Sequence, residues 1–174
     1  IIYAIVIDNN GNLGGAYRSS DGGTNWELIG PGGSSNFYPF NQEGFYACAL
    51  AVDPFDQNHI LLGGVDLWEY YYGGNWEQIS SSVLDETSLL YLHSHQHKIV
   101  FDHNVEGVVY IANDGGVFKG IKDATYDVFT FNNANRNYVT SLFFSLACNS
   151  YNQLMGGTHN NGTVEFNPNL INCA

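Results

Sequence analysis

At 174 residues, 44% of them hydrophobic and 15% aromatic, the chain is long enough for one ordinary domain with its own core and too apolar for a disordered tail. Five Lys and Arg against 17 Asp and Glu leave a formal charge of −12, which repels phosphate backbones and acidic membranes and sets nucleic acid aside as a partner. No run approaches the roughly 20 apolar residues of a membrane-spanning helix, so no membrane insertion is expected.

The chain opens on "IIYAIVID", which carries neither an initiator Met nor the basic region and cleavage site of a signal peptide and reads as the middle of a longer chain. In order, the apolar runs are "IIYAIVI", "ACALAV", "HKIVF", "VVYIA", "YDVFTF" and "SLFFSLA". They are short, rich in Val, Ile, Tyr, Phe and Thr, and separated by clusters of Gly, Asn, Asp and Ser, the punctuation of strands and turns. Only "SSSVLDETSLLYL", residues 80–92, has room for a helical turn. The predicted class is all-β.

Three stretches share one plan: "ALAVDPFDQNHILLGG" (49–64), "KIVFDHNVEGVVYIAND" (98–114) and "SLACNSYNQLMGGTHN" (145–160). Each is an apolar strand, an Asp or Asn, a polar turn, a second apolar strand and a small residue. The polar anchors Asp53, Asp102 and Asn149 lie 49 and 47 residues apart, and the aromatics after the next turn, Tyr17, Trp68 and Phe118, lie 51 and 50 apart. "WELI", "WEQI" and "YDVF" then follow as fourth strands. Four strands in about 50 residues match a β-propeller blade. The expectation is a single β-propeller segment over 1–174, about three to four four-stranded blades of a larger propeller. Its blades fall at about 1–30 (partial), 45–80, 96–131 and 141–174 (partial). "IIYA" enters as a second strand, and 45–53, 97–102 and 141–149 are equivalent inner strands.

"RSSDGGTNW" (18–26) joins the third strand of the first unit to the fourth. Gly22 and Gly23 allow tight turning, Asp21 accepts from the turn's own amides, and Trp26 is expected to pack between blades. "SSDGGTNW" resembles the Asp-box of BNR-repeat propellers, with Asn25 where Thr is usual. Its structural members would be Ser19, Asp21, Gly23 and Trp26, with Trp76 in the second, decayed copy "YYYGGNW". The stretches 93–120 and 143–163 are similar to secreted bacterial BNR or sortilin-like repeat proteins, and "NLGGAYRSSDGG" (12–23) to xyloglucan-cleaving endoglucanases. The resemblance implies an extracellular or cell-surface protein. It also implies a catalytic acid before Gly-Gly-Ala-Tyr-Arg, but Asn12 stands there, and an amide cannot act as a carboxylate acid or base.

With the Asp-box on one edge, the loops between second and third strands and the links between blades fall on the other. That face holds Asn12, Asp66, Asn113, Asp114, His159 and Asn160, with the links 30–46 and 81–97, and is acidic, aromatic and His-bearing. Such a surface suits sugars, since aromatic faces stack on pyranose rings while carboxylates and amides bond hydroxyls. Asp66 and Asp114 are the candidate catalytic carboxylates if the face hydrolyses glycosides, but Asp114 reads more readily as a cap of the "NDGG" turn, where Asn, Asp and Gly are ordinary residues. His93, His95 and His97 alternate as on one face of a strand. No spaced Cys or acidic partner completes a metal signature, so they are read as blade-linking hydrogen bonds, with no metal and no cofactor. No disulfide is expected among Cys48, Cys148 and Cys173, which blade spacing keeps apart. Two functional classes follow: a non-catalytic extracellular propeller that binds glycan or protein as a cell-surface scaffold, or a xyloglucanase- or sialidase-like glycoside hydrolase. Either needs further repeats, from the parent chain or neighbouring subunits, to complete the propeller.

Overall fold

The computed structural model describes residues 1–30, 37–136, 143–149, 153–158 and 162–166. The chain divides into two compact units, 1–136 and 137–174. The described residues hold fourteen strands and no helix, arranged as four antiparallel sheets in which sequential strands pair. The first sheet is β1 (Ile2–Ile7), β2 (Leu13–Ser19) and β3 (Glu27–Gly30). The second is β4 (Ala49–Val52), β5 (His59–Gly63), β6 (Leu67–Tyr71) and β7 (Trp76–Gln78). The third is β8 (Gln96–Phe101), β9 (Val108–Asn113), β10 (Gly116–Asp123) and β11 (Val128–Asn133). The second unit contributes β12 (Phe143–Cys148), β13 (Leu154–Thr158) and β14 (Thr163–Phe166).

Each repeated anchor bonds back from its own amide to the strand that follows, six residues on at Asp53 and Asp102 and four at Asn149. The Asp53 amide bonds the His59 carbonyl at 3.0 Å, that of Asp102 the Val108 carbonyl at 2.8 Å, and that of Asn149 the Gln153 carbonyl at 3.1 Å. Their side chains accept amides within the turn, as from Phe55 onto Asp53 and Asn104 onto Asp102, both at 2.8 Å. In the first sheet β1 pairs with β2, and β2 leads through the 18–26 turn into β3. Residues 80–92 form turns and no helix. There the Asp85 side chain takes the Thr87 amide at 2.9 Å, a local bond that competes with helix propagation.

In the first unit the three sheets pack face to face. Strand alternation sends Tyr3, Ile5 and Ile7, with Ala16, onto Ile60, Leu62, Trp68, Tyr70 and Trp76 of the second sheet. The opposite face of the second sheet, with Ala49, Leu61 and Leu67, covers Phe118, Phe129 and Phe131 of the third. Trp76 is buried, donates its indole N–H to the Ile29 carbonyl at 2.8 Å, and stacks on Phe37 with centroids 4.5 Å apart. Trp26 behaves differently. It is nearly half exposed and donates to the Gly23 carbonyl of its own turn at 3.0 Å, so the expectation that it packs between sheets fails. The physical reason is that Trp76 has the first sheet over it, whereas no sheet of the first unit covers the Trp26 face.

Polar seams run beside these apolar contacts. Between the first two sheets, the Arg18 guanidinium lies 3.8 Å over the Tyr72 ring and bonds Asn58 Oδ1 at 3.2 Å. Between the second and third, buried His59 faces Asp53 Oδ2 at 2.8 Å and Glu69 Oε1 at 2.7 Å, and its ring stacks on Tyr71. Lys122 reaches across from β10 to Glu69 at 2.6 Å and the Tyr71 hydroxyl at 2.7 Å, and meets Asp127 of its own sheet's β10–β11 turn at 2.9 Å. Burial pulls the Lys122 ammonium pKa down, but these three bonds outweigh it and hold the pKa above the ordinary value.

The two tryptophans should therefore separate in a denaturation experiment. Trp76→Ala is expected to lower unfolding free energy by about 3–5 kcal/mol, the cost of emptying a buried aromatic site. Trp26→Ala in dilute solution should cost under about 1 kcal/mol. Urea titration followed by circular dichroism checks both, and equal losses would contradict the packing described.

Candidate functional site

The turns β1–β2, β5–β6 and β9–β10 lie at one end of their sheets, and the links between sheets are stitched across them. In the first link, the Gly44 amide bonds the Gly11 carbonyl at 2.9 Å, and the Val65 amide bonds the Pro39 carbonyl at 2.8 Å. Gly64 is required there because a Cβ would stand 2.0 Å from the Pro39 carbonyl oxygen. The segment entering β8 crosses the same ground: the His95 amide bonds the Val65 carbonyl at 3.1 Å, and the Gln96 amide bonds the Gly64 carbonyl at 2.8 Å. This stitching brings Glu43 and Tyr46 from the first link to His95, His97 and Asp114 of the third sheet.

Asp114 is the hub, its carboxylate almost wholly buried. Its Oδ1 accepts from the Tyr46 hydroxyl at 3.0 Å and faces His97 Nε2 at 2.7 Å, while its Oδ2 faces His95 Nδ1 at 3.0 Å. The other nitrogen of His95 contacts the Glu43 carboxylate, so the buried ring bridges two acids. Tyr46 meets both rings edge-on, at centroid distances of 5.2 Å and 5.1 Å. His95 holds φ at 64°, a left-handed conformation that costs a side-chain-bearing residue about 1–3 kcal/mol unless its surroundings fix it. The two carboxylates on its ring do so.

Electrostatics follow from this packing. Burial alone pushes the Asp114 carboxyl pKa up, but the bonds from His97, Tyr46 and His95 outweigh it and hold it below the usual carboxylate range. Burial first, then the bond to ionised Asp114, push the Tyr46 phenol up to about 12. Tyr46 therefore stays protonated at neutral pH and keeps donating. Asp66 goes the other way: burial raises its carboxyl, against the bonds from Ser82 that lower it. Its oxygens accept from the Ser82 amide at 2.7 Å and from Gln78 Nε2 at 3.1 Å.

The candidates named from sequence thus separate. Asp114, His95 and His97 come together. Asn113, not Asp114, caps the "NDGG" turn, its Oδ1 accepting the Gly115 amide at 3.0 Å, because Asp114 is turned toward the two imidazoles. Asn12 braces the first link by accepting the Gln42 amide at 3.1 Å, and Asp66 belongs to the network of Ser82 and Gln78. The three histidines do not share a strand face, since β8 begins at Gln96 and His95 is turned by its positive φ. The His93 ring instead lies against Gly115, where a Cβ would come within 2.6 Å. Among the described residues no three His, Cys, Asp or Glu side chains are arranged to hold a metal ion. Cys48 and Cys148 are free thiols. His159, Asn160 and Cys173 lie outside the described residues.

Sequence reasoning singled out neither Glu43 nor Tyr46. They stand 52 and 68 positions from the partners they meet, and "NQEGFY" carries no local motif. Only the aromatic and acidic character of the 30–46 link pointed there.

At the opposite end, the β2–β3 turn is tied around Asp21. Asp21 Oδ1 accepts the Asn25 amide at 2.9 Å and Oδ2 the Asn25 side chain at 2.7 Å, while Ser19 Oγ accepts the Gly23 amide at 2.9 Å. Gly22 and Gly23 take φ of 74° and 92°, which only glycine adopts freely. In the degenerate second copy the Tyr70 hydroxyl stands in for Ser19, accepting the Gly73 amide at 3.3 Å. In the third, Asp123 accepts the Thr125 and Tyr126 amides at 2.7 Å and 3.0 Å. Comparison with protein-family models and with curated protein sequences returns no match.

The bonds to Asn25, by backbone and then side chain, hold the Asp21 carboxyl at about 2 against an ordinary 3.8. A depressed folded-state pKa contributes stability that is complete above 3.8 and lost as pH falls toward 2. Asp21→Asn should therefore lower the melting temperature at neutral pH and make it less steep in pH across that acid window. Thermal melts at stepped pH check this, and an unchanged acid slope would mean that Asp21 does not tie the turn.

Proposed function

We propose that this chain is part of a secreted or cell-surface β-propeller of the BNR, Asp-box type, and that the end of the sheets built around Asp114 binds glycan without hydrolysing it. The observation that carries the reading is the placing of exposed aromatic rings beside a pre-organised polar cluster. On the first link Tyr38, Phe45 and Tyr46 are 71%, 73% and 40% exposed, and Tyr46 is itself bonded to Asp114 next to the exposed imidazole of His97. Aromatic faces held in water beside carboxylate and imidazole groups are what a sugar needs: a platform for its C–H face and partners for its hydroxyls.

The binding role, rather than hydrolysis, rests on what the carboxylates already do. Glycoside cleavage needs a protonated acid and a second carboxylate at a defined separation. Asp114, held ionised by three bonds, cannot donate a proton at neutral pH, and Asn12 stands where the enzymes that this sequence resembles carry an acid. One observation favours the hydrolase reading: burial raises the Asp66 carboxyl, as it does for a general acid, although both of its oxygens are engaged. The Asp-box turn supports the propeller assignment, as do three sheets of the first unit stacked in chain order with aromatic faces covered in succession. Further repeats, on the same polypeptide or on neighbouring subunits, complete the ring.

The test is a panel of xyloglucan, mixed-linkage glucan and sialylated glycans, read both for binding and for released sugar. Binding is expected without turnover, to be lost in Tyr46→Ala and weakened at least tenfold in Asp114→Asn, which unties Tyr46 and His97 together. Robust turnover abolished by Asp114→Asn would overturn the binding reading, and no binding across the panel would remove glycan as the ligand.

A further inference from the structure

The place of His59 in the repeat does not call for a histidine. The Asp53 amide bonds the carbonyl of His59 and the Asp102 amide that of Val108, so the third sheet closes the same span on an aliphatic residue. What distinguishes His59 is its side chain, which enters the seam between the second and third sheets. The ring is buried, lies flat on Tyr71 of β6 with centroids 4.3 Å apart, and meets Phe101 of β8 edge-on at 5.6 Å.

Both ring nitrogens face carboxylate oxygens. Nδ1 stands 2.8 Å from Asp53 Oδ2, and Nε2 stands 2.7 Å from Glu69 Oε1. Two such contacts need two protons, because an ionised carboxylate only accepts. A neutral imidazole carries one, so its lone pair would be pressed against a carboxylate lone pair where water is excluded. Moving the missing proton to Glu69 is no remedy, since the same Oε1 already accepts from the Lys122 ammonium at 2.6 Å. On Asp53 it would sit on a weaker base than imidazole. Charge balance agrees. Asp53 and Glu69 are two buried anions, and Lys122 with an imidazolium makes two cations; a neutral ring leaves a buried negative charge uncompensated.

The other titratable groups around the ring are accounted for. Asp127 meets Lys122 from the β10–β11 turn and is exposed, and Asp56 accepts the Asn58 amide at 2.9 Å in the turn before the ring. Burial raises the Tyr71 phenol, against the bond from Lys122 that lowers it. Burial lowers Lys122, but its bonds to Glu69, Tyr71 and Asp127 outweigh that and hold the ammonium above its ordinary value. Phenol and ammonium therefore keep their protons through the neutral and mildly alkaline range, in which an imidazole is the side chain suited to change charge.

We infer that His59 is a proton-operated clasp in the seam between the second and third sheets: doubly protonated, it joins Asp53 to the Glu69–Lys122 pair, and it opens when one proton leaves to water. A proton held by the folded chain adds stability that is present at low pH and lost as pH rises past its release. The seam therefore loosens as the medium becomes alkaline. The clasp rests on these contacts and not on the glycan reading.

The experiment records ring-nitrogen NMR resonances of the full chain labelled in its six histidines, with His59 assigned, beside thermal melts from neutral to mildly alkaline pH. At neutral pH both His59 nitrogens are expected to carry protons, and the melting temperature to fall by about 2–8 °C as one is lost. Asp53→Asn separates the clasp from plain packing. The amide Oδ1 keeps the Phe55 amide, and Nδ2 takes the place of Oδ2 and donates to His59 Nδ1, which then needs no proton of its own. The repeat carries Asn at this place in Asn149. In the variant His59 should hold a single proton, on Nε2, and the alkaline fall should shrink. Circular dichroism establishes that the variant is folded; if it is not, the ring-nitrogen measurement on the unsubstituted chain decides alone. A single protonated nitrogen in the unsubstituted chain at neutral pH, or an undiminished alkaline fall in Asp53→Asn, would overturn the inference.

Discussion

The second sheet must be apolar on both of its faces, and the arrangement of the first unit follows from that demand. Every residue of β5 is buried: Ile60 and Leu62 face one neighbour, Leu61 the other. A strand covered on both sides loses the alternation of polar and apolar residues and reads as a continuous apolar run. It also leaves the chain no path between sheets except around their ends, because a link crossing a buried face would strand its own amides. The links are thus forced onto the rim, where they bond to the turns beneath them through Gly44, Val65, His95 and Gln96. The cluster around Asp114 is a product of this routing, since its members come from two links and a turn that share nothing in sequence.

The two ends of the sheets use acidic residues for opposite purposes. Asp21 and Asp123 satisfy the amides of their own turns, over two to four residues, at positions open to water. Asp114 takes its bonds from side chains 17 to 68 residues away and is buried by them. The first arrangement survives divergence, because any acceptor in the right place will serve, as the Tyr70 hydroxyl does in the second copy. The second depends on every partner at once.

That difference governs how much was legible in the sequence. Short-range features were readable: the polar anchors Asp53, Asp102 and Asn149, the glycines of the 18–26 turn, and the all-β class all depend on residues within a few positions of one another. Trp26 misled because its repeat place matches that of Trp76, and burial depends on a neighbour that sequence does not locate. His95 was misplaced because alternation assumes extended backbone, and its positive φ breaks the pattern one residue before β8 begins. Glu43 and Tyr46 escaped notice because nothing local marks them. Asp114 was singled out and read as a turn cap ahead of a catalytic carboxylate, whereas the cap is Asn113, its neighbour in the same turn.

The ionic seam between the second and third sheets bears on a problem that any repeated architecture faces, namely how like units keep their order. Aliphatic faces are interchangeable, and a third sheet set directly on the first would find Ile and Leu much as it finds them on the second. The charges are not interchangeable. Lys122 bonds Glu69, but the place of Glu69 is held by Arg18 in the first sheet, where it faces Asn58 and Tyr72. A swapped pairing would set ammonium against guanidinium and leave Glu69 and His59 without Lys122. Uncompensated buried charge of that kind costs about 3–5 kcal/mol, which is a large share of the stability of a domain this size. The apolar surfaces bring the sheets together, and the few buried ions act as an address that tells each sheet which neighbour is its own.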